Sequence, residues 1–277
     1  ASAEKTQKTW QCGKPQPFCQ NLYDLPFAYR TIFGSMRGGD LPIMAGRGCP
    51  FACAYCCNHI LKKTQDGAYV RWRSPEHVLA ELRQAVQWQQ PRRVIFEDDT
   101  FTLKPDWLER FLPLYLNEIA LPFVANARVG HFNSATARML KDAGCEYVSL
   151  GVESGDEGLR RTILGRDMGN AEIISAFDTA RDAGLGTYAF YMIGFPNETA
   201  EMALATLDLH RRLQPSAGFQ ISVFYPYPNT RLYEICQEQG LLSAAEKSGF
   251  EGSQSTLKLK DMKQDELAGI YAEFERL

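Results

Sequence analysis

Cys49, Cys53 and Cys56 stand in one short stretch, Gly48-Cys49-Pro50-Phe51-Ala52-Cys53-Ala54-Tyr55-Cys56, with the spacing Cys-x-x-x-Cys-x-x-Cys. Thiolates are metal ligands, and three on one loop can share one metal centre. A cubane of four irons and four sulfides usually takes four cysteines. Three would leave one iron open to a substrate, much as a catalytic zinc keeps an open position. The competing assignment is a zinc site completed by Cys57 or His59, because Cys and His at short spacings also bind zinc. Zinc knuckles, however, draw their ligands as two separated pairs.

Elements able to position such a loop follow from the hydrophobic pattern. From Leu41 onward, short apolar and often β-branched runs alternate with amphipathic stretches, the pattern of parallel strands and helices. Six such units are legible, with strand cores at 42–45, 93–96, 123–126, 147–150, 188–192 and 219–224. Ser74-Pro75-Glu76 supplies a cap, an N1 proline and an early acid for one helix. Ser134 is the expected cap of another, stopped by Gly144. Further helices are expected from Asn170 to Gly184, from Thr199 to before Pro215, from Thr230 to Gly240, and from about Asp261 to Leu277. Six units joined right-handedly curl into a partial barrel, although a flat doubly wound sheet satisfies the same periodicity. The expected division is a lead-in over 1–40, the barrel over 41–242 and a C-terminal helical extension over 243–277.

The cysteine spacing, with the aromatic Tyr55 before the third cysteine, resembles the signature of the radical S-adenosylmethionine (radical SAM) superfamily. The strand ends test that resemblance, since β/α barrels meet their ligands there. The first strand runs into the cysteine loop. The second runs into Glu97, Asp98 and Asp99, where the resemblance implies a contact to the amino group of S-adenosylmethionine (SAM). Which of the three acids makes it stays open, because the glycines of the family's turn are missing. The third strand ends at Arg128, whose guanidinium could pair with the SAM carboxylate or lie on the surface. The fourth runs into Gly151-Val152-Glu153-Ser154-Gly155, similar to the family's ribose motif. The fifth ends in Ile193-Gly194-Phe195-Pro196-Asn197-Glu198, which resembles its adenine motif with the first glycine replaced. The sixth ends in an aromatic rim, Tyr225-Pro226-Tyr227, and Tyr191 is expected at the same end.

The resemblance implies an α/β fold, a partial (β/α)6 barrel of the radical SAM type holding a 4Fe-4S cluster and SAM. Reductive cleavage would yield a 5'-deoxyadenosyl radical that takes hydrogen from a small-molecule substrate, the electron coming from an external donor of flavodoxin or ferredoxin type. Residues 21–27 and 69–76 resemble the cobalamin-associated branch, whose reactions include C-methylation and ring rearrangement, so cobalamin is a further expected cofactor. Asp208-Leu209-His210 is the nearest approach to a cobalamin-ligand motif, but it lacks the glycine and falls in an expected helix. A cobalamin-independent isomerase, cyclase or oxidase is the alternative. A tRNA methylthiolase and a module for electron transfer or zinc binding are the others.

Composition narrows the remaining classes. Lys and Arg total 30 against 33 Asp and Glu, a net charge of -3 that offers no basic surface for nucleic acid. No run reaches the roughly 18 apolar residues of a membrane span. The amino terminus lacks the apolar core of a signal peptide, so a cytoplasmic location is expected. Eight cysteines are too few for a disulfide scaffold in a chain of 277 residues and suit a reducing compartment. Cys12 and Cys19 are read as ordinary thiols rather than a second centre, and Cys145 and Cys236 as packing thiols. His77, His131 and His210 show no partner pattern.

Overall fold

The computed structural model describes residues 16–30, 39–243 and 254–277, so Cys12 lies outside the described part. The described chain forms eight strands: β1 (Asp40–Ile43), β2 (Gly46–Arg47), β3 (Arg71–Trp72), β4 (Arg93–Phe96), β5 (Phe123–Ala127), β6 (Cys145–Glu153), β7 (Gly186–Ile193) and β8 (Phe219–Val223). β1, β4, β5, β6, β7 and β8 make one parallel sheet in that spatial order. Each strand lies beside its predecessor and the direction never reverses. A doubly wound sheet needs a reversal point. Repeated right-handed crossovers in one direction instead curl the sheet into a partial (β/α)6 barrel. β2 and β3 pair antiparallel as a small separate ribbon at the base of the cysteine loop.

Burial alternates with period two along β1, β4 and β7. In β7, Thr187, Ala189, Tyr191 and Ile193 are buried while Tyr188, Phe190 and Met192 are half-buried. Parallel strands covered on both faces would be buried throughout. One face therefore packs on helices and the other lines an open concavity. Leu41, Ile43, Val94, Phe96, Phe123, Val148 and Leu150 lie on the helix side, in one core with the apolar faces of the surrounding helices.

Those helices are α1 (Asn58–Leu61), α2 (Pro75–Gln89), α3 (Pro105–Glu118), α4 (Ser134–Asp142), α5 (Glu157–Thr162), α6 (Asn170–Asp182), α7 (Ala200–Leu213), α8 (Arg231–Glu238) and α9 (Gln264–Glu275). Ser74 caps α2 by accepting from His77 N, as its sequence requires. For α4 the cap is Asn133, whose side chain accepts from Thr136 N at 2.9 Å, and Ser134 is the first helical residue. Asn and Ser are comparable caps, so local chemistry did not separate them. Three helices had no expected counterpart: α1, α5 and α3. In α3 an internal Pro113 obscures a good amphipathic face of Trp107, Leu108, Phe111, Leu112 and Tyr115.

One expectation fails on side-chain direction, and the three histidines without a partner pattern all find neighbours. Tyr191 does not face the ligand end: it is buried on the helix side, with its hydroxyl 3.2 Å from His210 Nδ1 and its ring against Phe274. Its parity in β7 puts it opposite Phe190 and Met192. His210 accordingly has a partner and sits in the core. His77 accepts from Arg73 Nε at 3.0 Å and packs against Tyr23 and Phe27, and the His131 ring lies 5.4 Å from that of Phe51. Cys145 and Cys236 are buried. Among the described residues no helix is long and apolar enough to cross a membrane.

Candidate functional site

The cysteine loop leaves β1 under tight backbone control. Asp98, just past β4, accepts from Ala45 N at 2.9 Å and Gly46 N at 2.6 Å, tying the loop's first residues to the neighbouring strand. Burial pushes this carboxyl up to about 6 against the pull of those two amides. Gly48 has φ +82°, and a Cβ there would approach the Tyr69 carbonyl oxygen to 2.6 Å, so only glycine fits the entry to Cys49. On its outer side the loop is pinned twice. Ala54 N donates to Leu164 O at 2.9 Å, and Ala54 O accepts from Leu232 N at 3.0 Å.

Three polar bridges then join the loop to successive strand ends. The first runs to β5: Arg128 Nη1 lies 3.7 Å from Cys53 Sγ, with its guanidinium 3.9 Å from the centre of the Phe51 ring. The second runs to β4: Asn58 Nδ2 donates both to Cys56 Sγ at 3.4 Å and to Asp99 Oδ1 at 3.0 Å. The third runs to β6: Arg166 Nη1 donates to Tyr55 Oη and Glu153 Oε1, each at 2.9 Å, and Nη2 donates to Gly151 O at 2.7 Å.

Glu153 and Arg166 are both buried, and Glu153 has φ +70° beside a register shift in the β6–β7 pairing. A left-handed glutamate is strained, and the shift re-aims its side chain toward Arg166. Although burial opposes its charge, Tyr55 and Glu153 hold the Arg166 guanidinium above its ordinary pKa. Burial, then Glu153, push the Tyr55 phenol well up. Desolvation likewise raises the thiols of Cys49 and Cys56.

The remaining singled-out residues divide clearly. Glu97 and Asp99 are exposed at the mouth of the concavity, whereas both carboxyl oxygens of Asp98 are spent on the loop backbone. Ser154 is fully buried, accepting from Asp156 N at 3.2 Å, with Thr206 Oγ1 3.5 Å away. Its hydroxyl faces α7 rather than the concavity. The Ile193 side chain is in the helix-side core, so that position can offer a ligand only backbone. Gly194, at φ +84°, opens a turn held by Glu198 Oε2, which accepts from Gly194 N at 2.5 Å and Phe195 N at 3.0 Å. Tyr225 is half-buried, its ring 5.4 Å from that of exposed Tyr227. Asn58, Tyr69 as a side chain, Arg166 and the structural part of Glu198 were not read from sequence. Asn58 and Arg166 sit in loop or single-turn segments where no periodicity marks them.

Among the described residues no three His, Cys, Asp or Glu side chains lie close enough to hold a single metal ion. Three thiols on one loop pinned at both flanks, with N–H donors aimed at two of the sulfurs, are a donor set suited to an iron–sulfur cluster.

A model of the family described as the radical SAM superfamily matches residues 43–210, more than half of the chain. The chain belongs to the radical SAM superfamily. Members of that superfamily use a 4Fe-4S cluster and SAM. Among curated relatives, this radical SAM chain is 29% identical over 262 residues to an uncharacterised methyltransferase of Pyrococcus horikoshii, covering 92% of the chain and 56% of the relative. It is 25% identical over 207 residues to the anaerobic magnesium-protoporphyrin IX monomethyl ester cyclase of Rubrivivax gelatinosus, covering 74% of the chain and 36% of the relative. Among solved structures it resembles the radical SAM methyltransferase TsrM from Kitasatospora setae, determined with cobalamin and a [4Fe-4S] cluster bound. The TM-score is 0.63 at 20% identity, over 76% of this chain and 39% of that one, a likeness of fold. The radical SAM chain therefore spans about half or less of the length of the proteins it matches.

Proposed function

We propose that residues 41–242 are the catalytic barrel of a radical SAM enzyme acting on a small-molecule substrate, by C-methylation or ring formation. Residues 1–40 are proposed as its lead-in and 243–277 as a helical extension. The observation that carries this reading is the set of three bridges by which Cys53, Tyr55 and Cys56 are connected to the ends of β5, β6 and β4. The metal loop and the ligand-binding strand ends are built as one unit, as a reaction between cluster and SAM requires. A module for electron transfer alone has no need of them.

When bound, the cluster and SAM supply a one-electron cleavage that gives methionine and a 5'-deoxyadenosyl radical. The chain's own residues hold and orient. Cys49, Cys53 and Cys56 ligate. Arg128 would meet the SAM carboxylate, and Asp99 or Glu97 its ammonium, a pairing favoured by opposite charge. Glu153, with Oε1 fixed by Arg166, keeps Oε2 for a ribose hydroxyl. The Gly194–Phe195 backbone, locked by Glu198, offers a flat approach to adenine, and Tyr225 with Tyr227 border the substrate. The electron comes from a flavodoxin- or ferredoxin-type donor.

Cobalamin belongs to this proposal through the methyltransferase relatives and the TsrM fold. His210, in the nearest approach to a cobalamin-ligand motif, is enclosed between Tyr191, Phe219 and Phe274 and does not supply that ligand, and no step is routed through cobalamin. A cobalamin-independent cyclase is the second reading, favoured by the Rubrivivax relative.

The test is anaerobic reconstitution with iron and sulfide, followed by dithionite and SAM, scoring 5'-deoxyadenosine in the wild type and in Cys53→Ala. Deoxyadenosine only in the wild type is expected. Equal yields, or stoichiometric zinc in place of a cluster, would overturn the proposal.

A further inference from the structure

The Asn58 side chain is specified at both ends. Its Nδ2 group has two hydrogens, and each has an acceptor: Cys56 Sγ at 3.4 Å and the carboxylate Asp99 Oδ1 at 3.0 Å. Its Oδ1 accepts from the Tyr69 hydroxyl. Asp99 can only accept and the phenol here donates, so the carboxamide has one orientation and cannot flip. Burial raises Tyr69 to about 12, with Asp99 and the cysteines adding to it, which keeps that donor protonated across the working pH range. The backbone N–H of Asn58 also points at Cys56 Sγ, at 3.5 Å. Cys56 thus faces two N–H groups from one residue.

We propose that Asn58 is a positioning residue that sets how readily the cluster accepts an electron, by directing two N–H groups at the Cys56 sulfur in an orientation fixed by Tyr69 and Asp99. The inference rests on the assignment of Cys56 as a cluster ligand. Reduction adds one negative charge, part of which resides on the ligand sulfurs. A donor aimed at such a sulfur stabilises the reduced form more than the oxidised form, and hydrogen bonds to sulfur are among the controls of cluster potential. Tyr69 acts through Asn58: donating to the carboxamide oxygen polarises the amide and strengthens its N–H groups. Neither residue needs to touch SAM or substrate for this effect.

The test is an electron-paramagnetic-resonance redox titration of the anaerobically reconstituted protein, with iron and sulfide counted in each sample. Asn58→Ala keeps the backbone donor and loses the side-chain donor. Its cluster should load as in the wild type, with the reduction equilibrium about tenfold less favourable, a midpoint about 59 mV more negative for one electron. Tyr69→Phe should shift it less and in the same direction. A fully loaded Asn58→Ala protein with the wild-type midpoint overturns the inference. Should Asn58→Ala fail to load, Tyr69→Phe decides it, an unchanged midpoint overturning it equally. A wild type that assembles no four-iron cluster overturns the cysteine assignment itself, a different result from a normal cluster with an insensitive potential.

Discussion

Arg166 concentrates more of the site's electrostatics than any residue the sequence points to, because its fork is shared by Tyr55, Glu153 and Gly151. Removing one partner of a buried ion pair strands the other charge, which typically costs about 3–5 kcal/mol. Arg166→Leu should lower the unfolding free energy by that order, read from urea titration, and Arg166→Lys by less, since it keeps the charge but not the fork. Glu198 carries a different signature. Burial raises its carboxyl from 4.5 to about 8 in the fold, and Oε1 is buried without a partner. A raised acid pKa means that the folded state holds the proton longer than the unfolded chain. Its stabilising contribution is complete below pH 4.5 and is lost as pH rises through about 8. At 1.36 kcal/mol per unit this is on the order of several kcal/mol. Glu198→Gln should flatten the unfolding free energy between about pH 4.5 and 8, measured by urea titration at each pH. A wild type whose stability does not decline over that range would contradict the assignment.

At the level of elements, the strands were the most legible part, because each β-branched run met a turn or cap and β4 coincides with its expected core at 93–96. Strand order was not legible: period two fixes a face but says nothing about which neighbour comes next. Helices were readable where a cap and a clean apolar stripe coincided, as in α2 and α7. α3 failed that test through Pro113, an exposed position whose missing N–H leaves the Glu109 carbonyl without its helical donor. Pro113→Ala should therefore raise the melting temperature, by an amount equivalent to about 1–3 kcal/mol. The opposite sign is expected at Gly155, where a Cβ would run into the Ala205 backbone of α7. Gly155→Ala should push α7 from the end of β6 at a cost of about 1–3 kcal/mol, read from the denaturant midpoint. The site was half visible for a related reason. Cysteine spacing and acids at strand ends are local patterns, but whether Ser154 and Ile193 face a ligand or a helix depends on strand parity and bulges, which only the assembled sheet fixes.

For the whole molecule, what matters is that the cysteine loop is held by distant parts of the chain. Ala54 is bonded to Leu164, which follows α5, and to Leu232, in the first turn of α8. Removing iron from the loaded protein with a chelator should loosen these ties together. Hydrogen exchange at the Ala54 and Leu232 amides should then accelerate while the β5 and β6 amides stay protected, as read by mass spectrometry. Uniform acceleration would mean that the loop has no separate cooperative unit. The same ties impose an order on biogenesis. A nascent chain displays all three thiols long before Leu232 has left the ribosome, and at about 5–20 residues per second that interval lasts on the order of ten to forty seconds. During it the thiols are reactive and uncaged, without the frame that later aims Arg128 and Asn58 at them. Iron delivered then meets a flexible peptide, whereas iron delivered once Leu232 has emerged and α8 has formed meets a loop already tied in place.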